Sequence, residues 1–397
     1  MGFIRQVLPV LAIVSQAVAG PCSAATATIQ NAGDASQLAS CTTFSGSIAI
    51  ATGTTDSIDI SGVRAITGSL IANNVTQLTS LSADSLQTIG DTFSLNGLTV
   101  LANLNFPQLT KVDTIDWTAL PALQGLSFST GVQQANQVSI QNTQLNTLAG
   151  INLETVTSII IANNNYLDEI NMQLGNVTER LILEANGRNV SAIFPNMMWA
   201  YNITMRNVST VSTPSLASIN GSMGFYANFF DSVAAPNLTT VGGSLSFVSN
   251  ANAQNLSFPQ LKKVGGGLGV QNNTALKAIS FPQLQSVGGA VDFYGNFTDV
   301  ALPKLSDVRG AFNLQSSKDI TNACNHFKPL SGSNNVIKGT YTCSGGRSRP
   351  GGTGTLSPGT NSGNSGSQQS QSSSATAVYV SSGAGIMSVL AAVFGLL

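Results

Sequence analysis

Phe106-Pro-Gln-Leu-Thr-Lys-Val112 recurs along the chain as Phe258-Pro-Gln-Leu-Lys-Lys-Val264 and Phe281-Pro-Gln-Leu-Gln-Ser-Val287. Each copy is followed, directly or after a Gly-rich turn, by a short segment in which apolar and small or polar residues alternate, as in Gly243-Ser-Leu-Ser-Phe247. Such alternation predicts a β-strand with one buried face. A segment recurring at a fixed period is typical of a repeat architecture, in which no single unit can bury its core alone.

The period of the repeat predicts the fold class. Successive inward strand positions are 20 to 23 residues apart. We predict an all-β fold, a single parallel β-solenoid of about 13 coils of about 22 residues, with the Pro-x-Leu-x-x-Val segment forming the wall opposite the strands. The inward positions are Ile48, Leu70, Phe93, Ile115, Val138, Ile159, Leu181, Ile203, Met223, Leu245, Leu268, Val291 and Phe312.

An asparagine column accompanies the strands, five residues after the inward position. Asparagine fits a turn because its amide bonds neighbouring backbone groups and because it tolerates left-handed geometry. We therefore expect these side chains to hydrogen-bond from coil to coil, with interruptions at Val208 and Ser317. The predicted members are Asn164, Asn186, Asn228, Asn250, Asn273 and Asn296.

Both ends of the chain carry sorting signals. Residues 1–19 combine a basic start, a short apolar run and an Ala-Val-Ala cleavage box, which predicts a secretory signal peptide. Residues 344–374 are rich in Gly, Ser and Thr and predict a flexible stalk after the solenoid of residues 20–343. Small residues, a polar spacer and an apolar terminus over 375–397 predict a GPI-attachment signal, with attachment near Ser373 or Ser374.

Glycans replace charge on this surface. Charged residues make up 8% of the chain, with a net charge of −1, against about 25% charged residues in an average soluble domain. Nucleic acid is therefore not an expected partner. Ten N-glycosylation sequons follow the predicted signal peptide: Asn74, Asn176, Asn189, Asn202, Asn207, Asn220, Asn237, Asn255, Asn272 and Asn296.

Four cysteines flank the repeats, Cys22 and Cys41 before them and Cys324 and Cys343 after them. In a secreted protein an even number indicates disulfides, and four cysteines allow three connectivities. We predict Cys22–Cys41 and Cys324–Cys343, because each pair then closes a local loop at one end of the stack. With His326 as the single histidine, neither a metal nor another cofactor is expected.

The coil pattern resembles the leucine-rich repeats of receptor L domains. Together with the terminal cysteine pairs, sequons, stalk and anchor signal, it is similar to the fungal extracellular-mutant and sporulation-specific family of cell-wall glycoproteins. The resemblance implies a non-catalytic role in wall organisation and integrity at the outer face of the plasma membrane or in the wall. It also implies wall polysaccharide or wall proteins as partners, and a GPI lipid as the membrane contact.

Two other function classes remain open. A polysaccharide-active β-helix enzyme needs paired acids on one face. Asp91 and Asp113 should stack on adjacent coils, and Asp113 and Asp116 form a second pair, although solvated corner residues explain both. A ligand-binding receptor or adhesin is the other class. Its candidate strip is Tyr226 and Tyr294, three coils apart, beside a surface ion pair between Glu184 and Arg206.

Overall fold

A computed structural model describes residues 22–352 as a parallel β-solenoid, which confirms the predicted fold class. Its main sheet holds 22 strands, and neighbouring coils pair in parallel and in register, as between Leu245–Val248 and Leu268–Gln271. All thirteen predicted inward residues are buried, none more than 2% exposed. Alternation along each strand therefore places one apolar column in a core shared by the whole stack.

The strands of the main sheet run the length of the described chain. They are Ser23–Ile29, Thr43–Ile50, Ala65–Ile66, Leu70–Asn73, Thr88–Asn96, Lys111–Leu120, Val132–Gln134, Gln137–Thr143, Ile151–Ala162, Asn176–Glu184, Trp199–Arg206, Ser218–Ile219, Met223–Tyr226, Thr240–Val241, Leu245–Val248, Lys263–Val264, Leu268–Gln271, Ser286–Val287, Val291–Gly295, Asp307–Val308, Phe312–Ser316 and Tyr341–Ser344.

Short strands and helices complete each coil and the two ends. The smaller parallel sheets are Ile58–Asp59, Ser80–Ser82 and Asn103–Asn105; Glu169–Asn171, Ser191–Ile193, Thr210–Ser212, Ser232–Ala234 and Asn255–Ser257; and Ala278–Ser280 with Asp299–Ala301. The α-helices are Ala32–Gln37 and Thr321–Phe327, each followed by a 3-10 turn, Leu38–Ser40 and Lys328–Leu330.

The predicted opposite wall is wrong in part. The valine that ends the recurring motif belongs to the main sheet, since Val112 lies in the same strand as Ile115 and Val264 pairs with Val287. The smaller sheets instead contain the residues just before the motif, such as Leu256 in Asn255–Ser257. The motif's proline follows a buried aromatic, Phe258, at the turn between the two.

The asparagine column hydrogen-bonds from coil to coil, as predicted, but its members are not the left-handed residues of their coils. The residue with positive φ lies one position earlier in each coil, as at Ser249 (φ 56°). The column residue Asn250 is fully buried, and its Nδ2 donates to the Phe225 carbonyl at 3.1 Å and to Asn273 Oδ1 at 3.0 Å. The side-chain amide thus links three coils, and left-handed geometry is not required of it.

Asn296 is not a member of this column, which corrects the sequence-based assignment. In its coil the left-handed residue is replaced by Gly295 with φ 159°, and the strand Val291–Gly295 runs on through that position. The next residues are displaced, so that Phe297 is buried and Asn296 is half-buried at the surface. Asn296 Nδ2 makes a long contact of 3.4 Å to the Thr274 carbonyl, and its Oδ1 accepts from Ser317 Oγ rather than from an asparagine, at 2.9 Å.

Both ends are closed by more than a disulfide. The structure pairs Cys22 with Cys41 and Cys324 with Cys343, with Cα–Cα distances of 5.4 and 5.5 Å, so the predicted disulfide-capped ends are confirmed. The strands Ser23–Ile29 and Tyr341–Ser344 extend the main sheet beyond the first and last predicted coils. The helix Ala32–Gln37 follows the first of these strands, and the helix Thr321–Phe327 precedes the second. Both helices cover strand edges that would otherwise be open to pairing.

The folded region continues past its predicted boundary at residue 343. Residues 344–352, assigned from sequence to the stalk, lie against the solenoid: Gly346 N–H donates to the Lys318 carbonyl and Arg347 N–H to the Ser316 carbonyl. The predicted signal peptide, the rest of the stalk and the GPI signal with Ser373 and Ser374 lie outside the described residues.

Candidate functional site

The outward side chains of the main sheet form the candidate site, which we call the outer face. It consists of residues directly before, one after and three after each inward position. Around Ile115, for example, these are Thr114, Asp116 and Thr118. Because the coils are in register, each such position stacks on its equivalent in the next coil, and Asp116 is the register partner of Ser94 and Ser139.

A groove of about 300 Å³ lies on the outer face. We call it the Asp116 groove. One side of the groove is formed by the residues directly before the inward positions, which pair with one another from coil to coil. The other side is formed by Asp116, Ser139 and Ile160. Its lining is Thr92, Thr114, Ile115, Asp116, Gln137, Val138, Ser139, Ser158, Ile160 and Arg180.

The Asp116 carboxylate is the acidic group of this groove. The side chain is exposed to solvent, yet the surrounding walls displace enough water to raise the pKa of the carboxyl above its usual value. Within residues 22–352 it has no hydrogen-bond or ion-pair partner that would offset this desolvation. At the other end of the groove, Arg180 is already paired, with Glu179 at 2.9 Å and with Ser158 Oγ at 3.1 Å.

The predicted acid pair Asp91 and Asp113 occupies adjacent coils, at a shift in register between Ile89 and Thr92. Each carboxylate is held by its own neighbours. Asp91 Oδ2 accepts from Ser69 Oγ at 3.0 Å, and Asp113 accepts from Thr114 and from the Asn136 side chain. Both carboxylates thus accept hydrogen bonds from side chains, including one each from a neighbouring coil, and hold adjacent coils together.

Glu184, Arg206 and Tyr226 form a ladder over three coils of the outer face. The Arg206 Nε to Glu184 Oε1 distance is 3.6 Å, and the Arg206 guanidinium lies 4.5 Å from the Tyr226 ring centroid. The two charged side chains are 35% and 49% exposed, so this ion pair contributes little to stability. The cation–π contact and the neighbouring Gly224 hold the Tyr226 ring close to the sheet.

Tyr294 lies three coils from Tyr226, as predicted, but its surroundings differ. Its hydroxyl lies 3.4 Å from Gln271 Oε1, and burial, then the nearby Asp292 charge, raises the pKa of the phenol. The segment ending at Gly352 passes beside the ring, since a Cβ on Gly352 would lie 3.0 Å from Tyr294 Cε1. The chain itself therefore covers this end of the predicted strip.

The sequons fall into two groups by exposure. Six asparagines are exposed: Asn74, Asn189, Asn220, Asn237, Asn255 and Asn272. Four are half-buried: Asn176, Asn202, Asn207 and Asn296. Asn74, Asn207 and Asn272 are the left-handed corner residues of their coils. Sequon use itself stays a prediction.

Comparison with known proteins identifies the family. "Protein ecm33" of Aspergillus fumigatus is 39% identical over 353 residues, 88% of each chain. The chain belongs to the Ecm33 family. The family model, described as "Ecm33: GPI-anchored cell wall organization protein", matches residues 1–39. The predicted resemblance to fungal cell-wall glycoproteins is therefore confirmed.

Other Ecm33 relatives bear names of the same kind. A "Cell surface GPI-anchored protein" of Arthroderma benhamiae is 40% identical over 86% of this chain and 88% of its own. The "Cell wall protein ecm33" of Schizosaccharomyces pombe is 36% identical over 82% of this chain and 77% of its own. A leucine-rich repeat protein structure from Bacteroides ovatus aligns at a TM-score of 0.30 and 11% identity, over 74% of this chain and 83% of its own, a score too low to bear on the fold.

The Asp116 groove was missed by the sequence argument, which considered Asp116 only as a neighbour of Asp113. A signal was nevertheless present, because the register positions around Asp116 are rich in Ser and Thr on five successive coils.

Between residues 22 and 352, no helix is long and apolar enough to cross a membrane.

Proposed function

We propose that this chain supports the organisation and integrity of the cell wall as a non-catalytic, GPI-anchored surface glycoprotein. The supporting observation is its likeness to a "Cell surface GPI-anchored protein" over 86% of this chain and to a "Cell wall protein ecm33" over 82% of it. It works at the outer face of the plasma membrane or in the wall, where wall polysaccharide and wall proteins are the available partners.

The state of the acids supports a non-catalytic role. Acid–base hydrolysis of a glycoside requires two carboxyl groups that both face the substrate. Asp91 and Asp113 instead accept hydrogen bonds from side chains of the fold, and Asp116 has no second free carboxylate beside it in the groove lining.

Deletion of the gene tests this proposal. We expect the deleted strain to become hypersensitive to wall-binding dyes and to glucanase. Re-expression of either the natural chain or the double variant Asp91→Asn/Asp113→Asn should restore resistance. Failure of the double variant to restore resistance, despite normal surface level and thermal stability, would overturn the non-catalytic reading.

A surface receptor or adhesin is the second candidate, favoured by the aromatic Tyr226 lying against the outer face. A glucan pull-down with the natural chain and with Tyr226→Ala tests it. Tyr294→Ala is the matched comparison, because that ring is partly covered by the Gly352 segment. Loss of glucan retention in Tyr226→Ala alone supports this candidate, and equal retention in all three chains removes Tyr226 from it.

A further inference from the structure

We propose that the Asp116 groove is a binding site for a neutral oligosaccharide. The inference deepens the proposed function by naming a ligand class, and it rests on that function only in placing the chain at the wall. Three independent features carry it: the free carboxylate, the chemistry of the lining and the distribution of sequons.

The first feature is the contrast between Asp116 and its neighbours Asp91 and Asp113. Those two carboxylates accept hydrogen bonds within the fold. Asp116 accepts none from residues 22–352, although it lies in the same strand as Asp113. Its two oxygens therefore remain available as acceptors for a ligand, and a carboxylate with two acceptor oxygens suits the paired hydroxyl groups of a sugar.

The second feature is the lining. Ser139 and Ser158 each accept one hydrogen bond within the fold and can still donate to a ligand. Thr92 and Thr114 donate to Asp91 and Asp113 and keep lone pairs that can accept from a ligand. Gln137 adds an amide. Ile160 adds an apolar surface within the same groove. A sugar ring needs this mixture, because it carries hydroxyls around its edge and C–H groups on its face.

Charge excludes the main competing ligands. The groove has one free carboxylate, and its single guanidinium, on Arg180, is already paired with Glu179. An anion would meet Asp116 without a free cation to offset the repulsion. A basic peptide would need more than one acidic contact to bind tightly. From Asp116 to Arg180 the groove crosses three coil steps, about 14 Å, which is long enough for several sugar units.

The third feature is a window without glycans. Sequons occur at Asn74 and then not again until Asn176, so the coils that form most of the groove carry none. The nearest sequon on the outer face is Asn202, the register partner of Arg180 at the end of the groove. A bulky glycan at the register position of Asn202, but on one of the coils between Arg180 and Asp116, would fill the groove.

Calorimetric titration of the full-length chain, purified in detergent, tests the proposal. The probes are β-1,3-linked glucohexaose, chitohexaose and α-1,6-linked mannohexaose. We expect at least one to bind with a dissociation constant below about 1 mM, and Asp116→Ala to weaken that binding by about tenfold, since a hydrogen bond to a charged group is lost. Asp231→Ala, at an exposed aspartate of a smaller-sheet connection, should bind as the natural chain does.

A second variant uses the groove's own sequence. Gln137→Asn creates the sequon Asn-Val-Ser with Ser139 and places a glycan in the groove, which a mobility shift would verify. We expect this variant to lose binding, whereas the fraction of the same variant without the added glycan should bind more tightly than the glycosylated fraction. Equal binding by the glycosylated variant, or no binding of any probe by the natural chain, would overturn the proposal.

The two proposals can fail separately. If the glycosylated variant loses oligosaccharide binding but still restores wall resistance, the groove exists and wall support does not depend on it. If no probe binds while the deleted strain shows wall defects, the groove proposal is wrong and the wall function stands.

Discussion

Replacing Asn250 by alanine removes the centre of the asparagine ladder. Asn250 is fully buried and takes part in four side-chain hydrogen bonds. Its Oδ1 accepts from the backbone N–H and from the Nδ2 of Asn228, at 3.0 and 2.9 Å. Its Nδ2 donates to the Phe225 carbonyl and to Asn273 Oδ1.

The cost follows from what is left behind. Asn250→Ala strips both Asn228 donors of this acceptor, in a site with no solvent access. A buried polar group without a partner costs about 1–3 kcal/mol, so two such groups and a small cavity give about 4 kcal/mol. The matched control is Asn252→Ala: Asn252 is exposed and donates one bond of 3.2 Å to the Phe229 carbonyl. We expect that change to cost about 0.5 kcal/mol or less.

Denaturant unfolding of the two variants and the natural chain measures the difference. Because long repeat arrays can unfold segment by segment, hydrogen exchange at the Asn228 amide should be followed in parallel. We expect that amide to exchange much faster in Asn250→Ala and unchanged in Asn252→Ala. A loss below about 1 kcal/mol, with an unchanged Asn228 amide, would refute the view that the ladder stabilises the stack.

Three further predictions follow from particular side chains. Asp116→Ala should raise the melting temperature slightly at neutral pH. Burial raises the pKa of Asp116 in the folded state above its ordinary value of 3.8. The natural chain therefore loses stability as the pH rises through the raised pKa, and the advantage of the variant should vanish below about pH 3.8. A constant advantage at all pH values would contradict this. Glycopeptide mass spectrometry should find glycan on Asn296 as well as on Asn202, Asn237 and Asn255, because Asn296 is half-exposed and outside the ladder; an empty Asn296 beside a filled Asn237 would show otherwise. Deletion of residues 386–397 should release the protein to the medium, since the apolar tail is the anchor signal; continued retention by membranes argues against that signal.

Several elements were predictable because their signals are local. A strand with alternating apolar residues buries one face whatever its neighbours are, so Leu245 and Phe247 could be assigned to the core from their spacing alone. Constancy of the period predicted parallel stacking. The positions of Cys22 and Cys343 at the two ends predicted caps, because a stack of coils has open edges only there.

Other elements depended on how one coil meets the next. The recurring motif suggested an opposite wall, but Val264 joins the main sheet because the chain turns before it, at Pro259 and Gln260. Asn296 has the ladder spacing and still leaves the ladder, since the conformation of Gly295 is set by its strand pairing with Ser316. Spacing along one coil does not encode these contacts.

The sequence by itself determined the class of the protein: a repeat chain of the GPI-anchored wall-protein kind, rich in sequons, with apolar columns that run through the core from coil to coil. Tertiary structure alone decided the chemistry of its surface. Asp91, Asp113 and Asp116 are the same residue type within 26 positions of the sequence. Neighbouring coils supply hydrogen-bond donors to the first two and, within residues 22–352, none to the third. The physical reason is that burial follows local alternation, whereas hydrogen-bond partners about 22 residues away are supplied by the register of the stack.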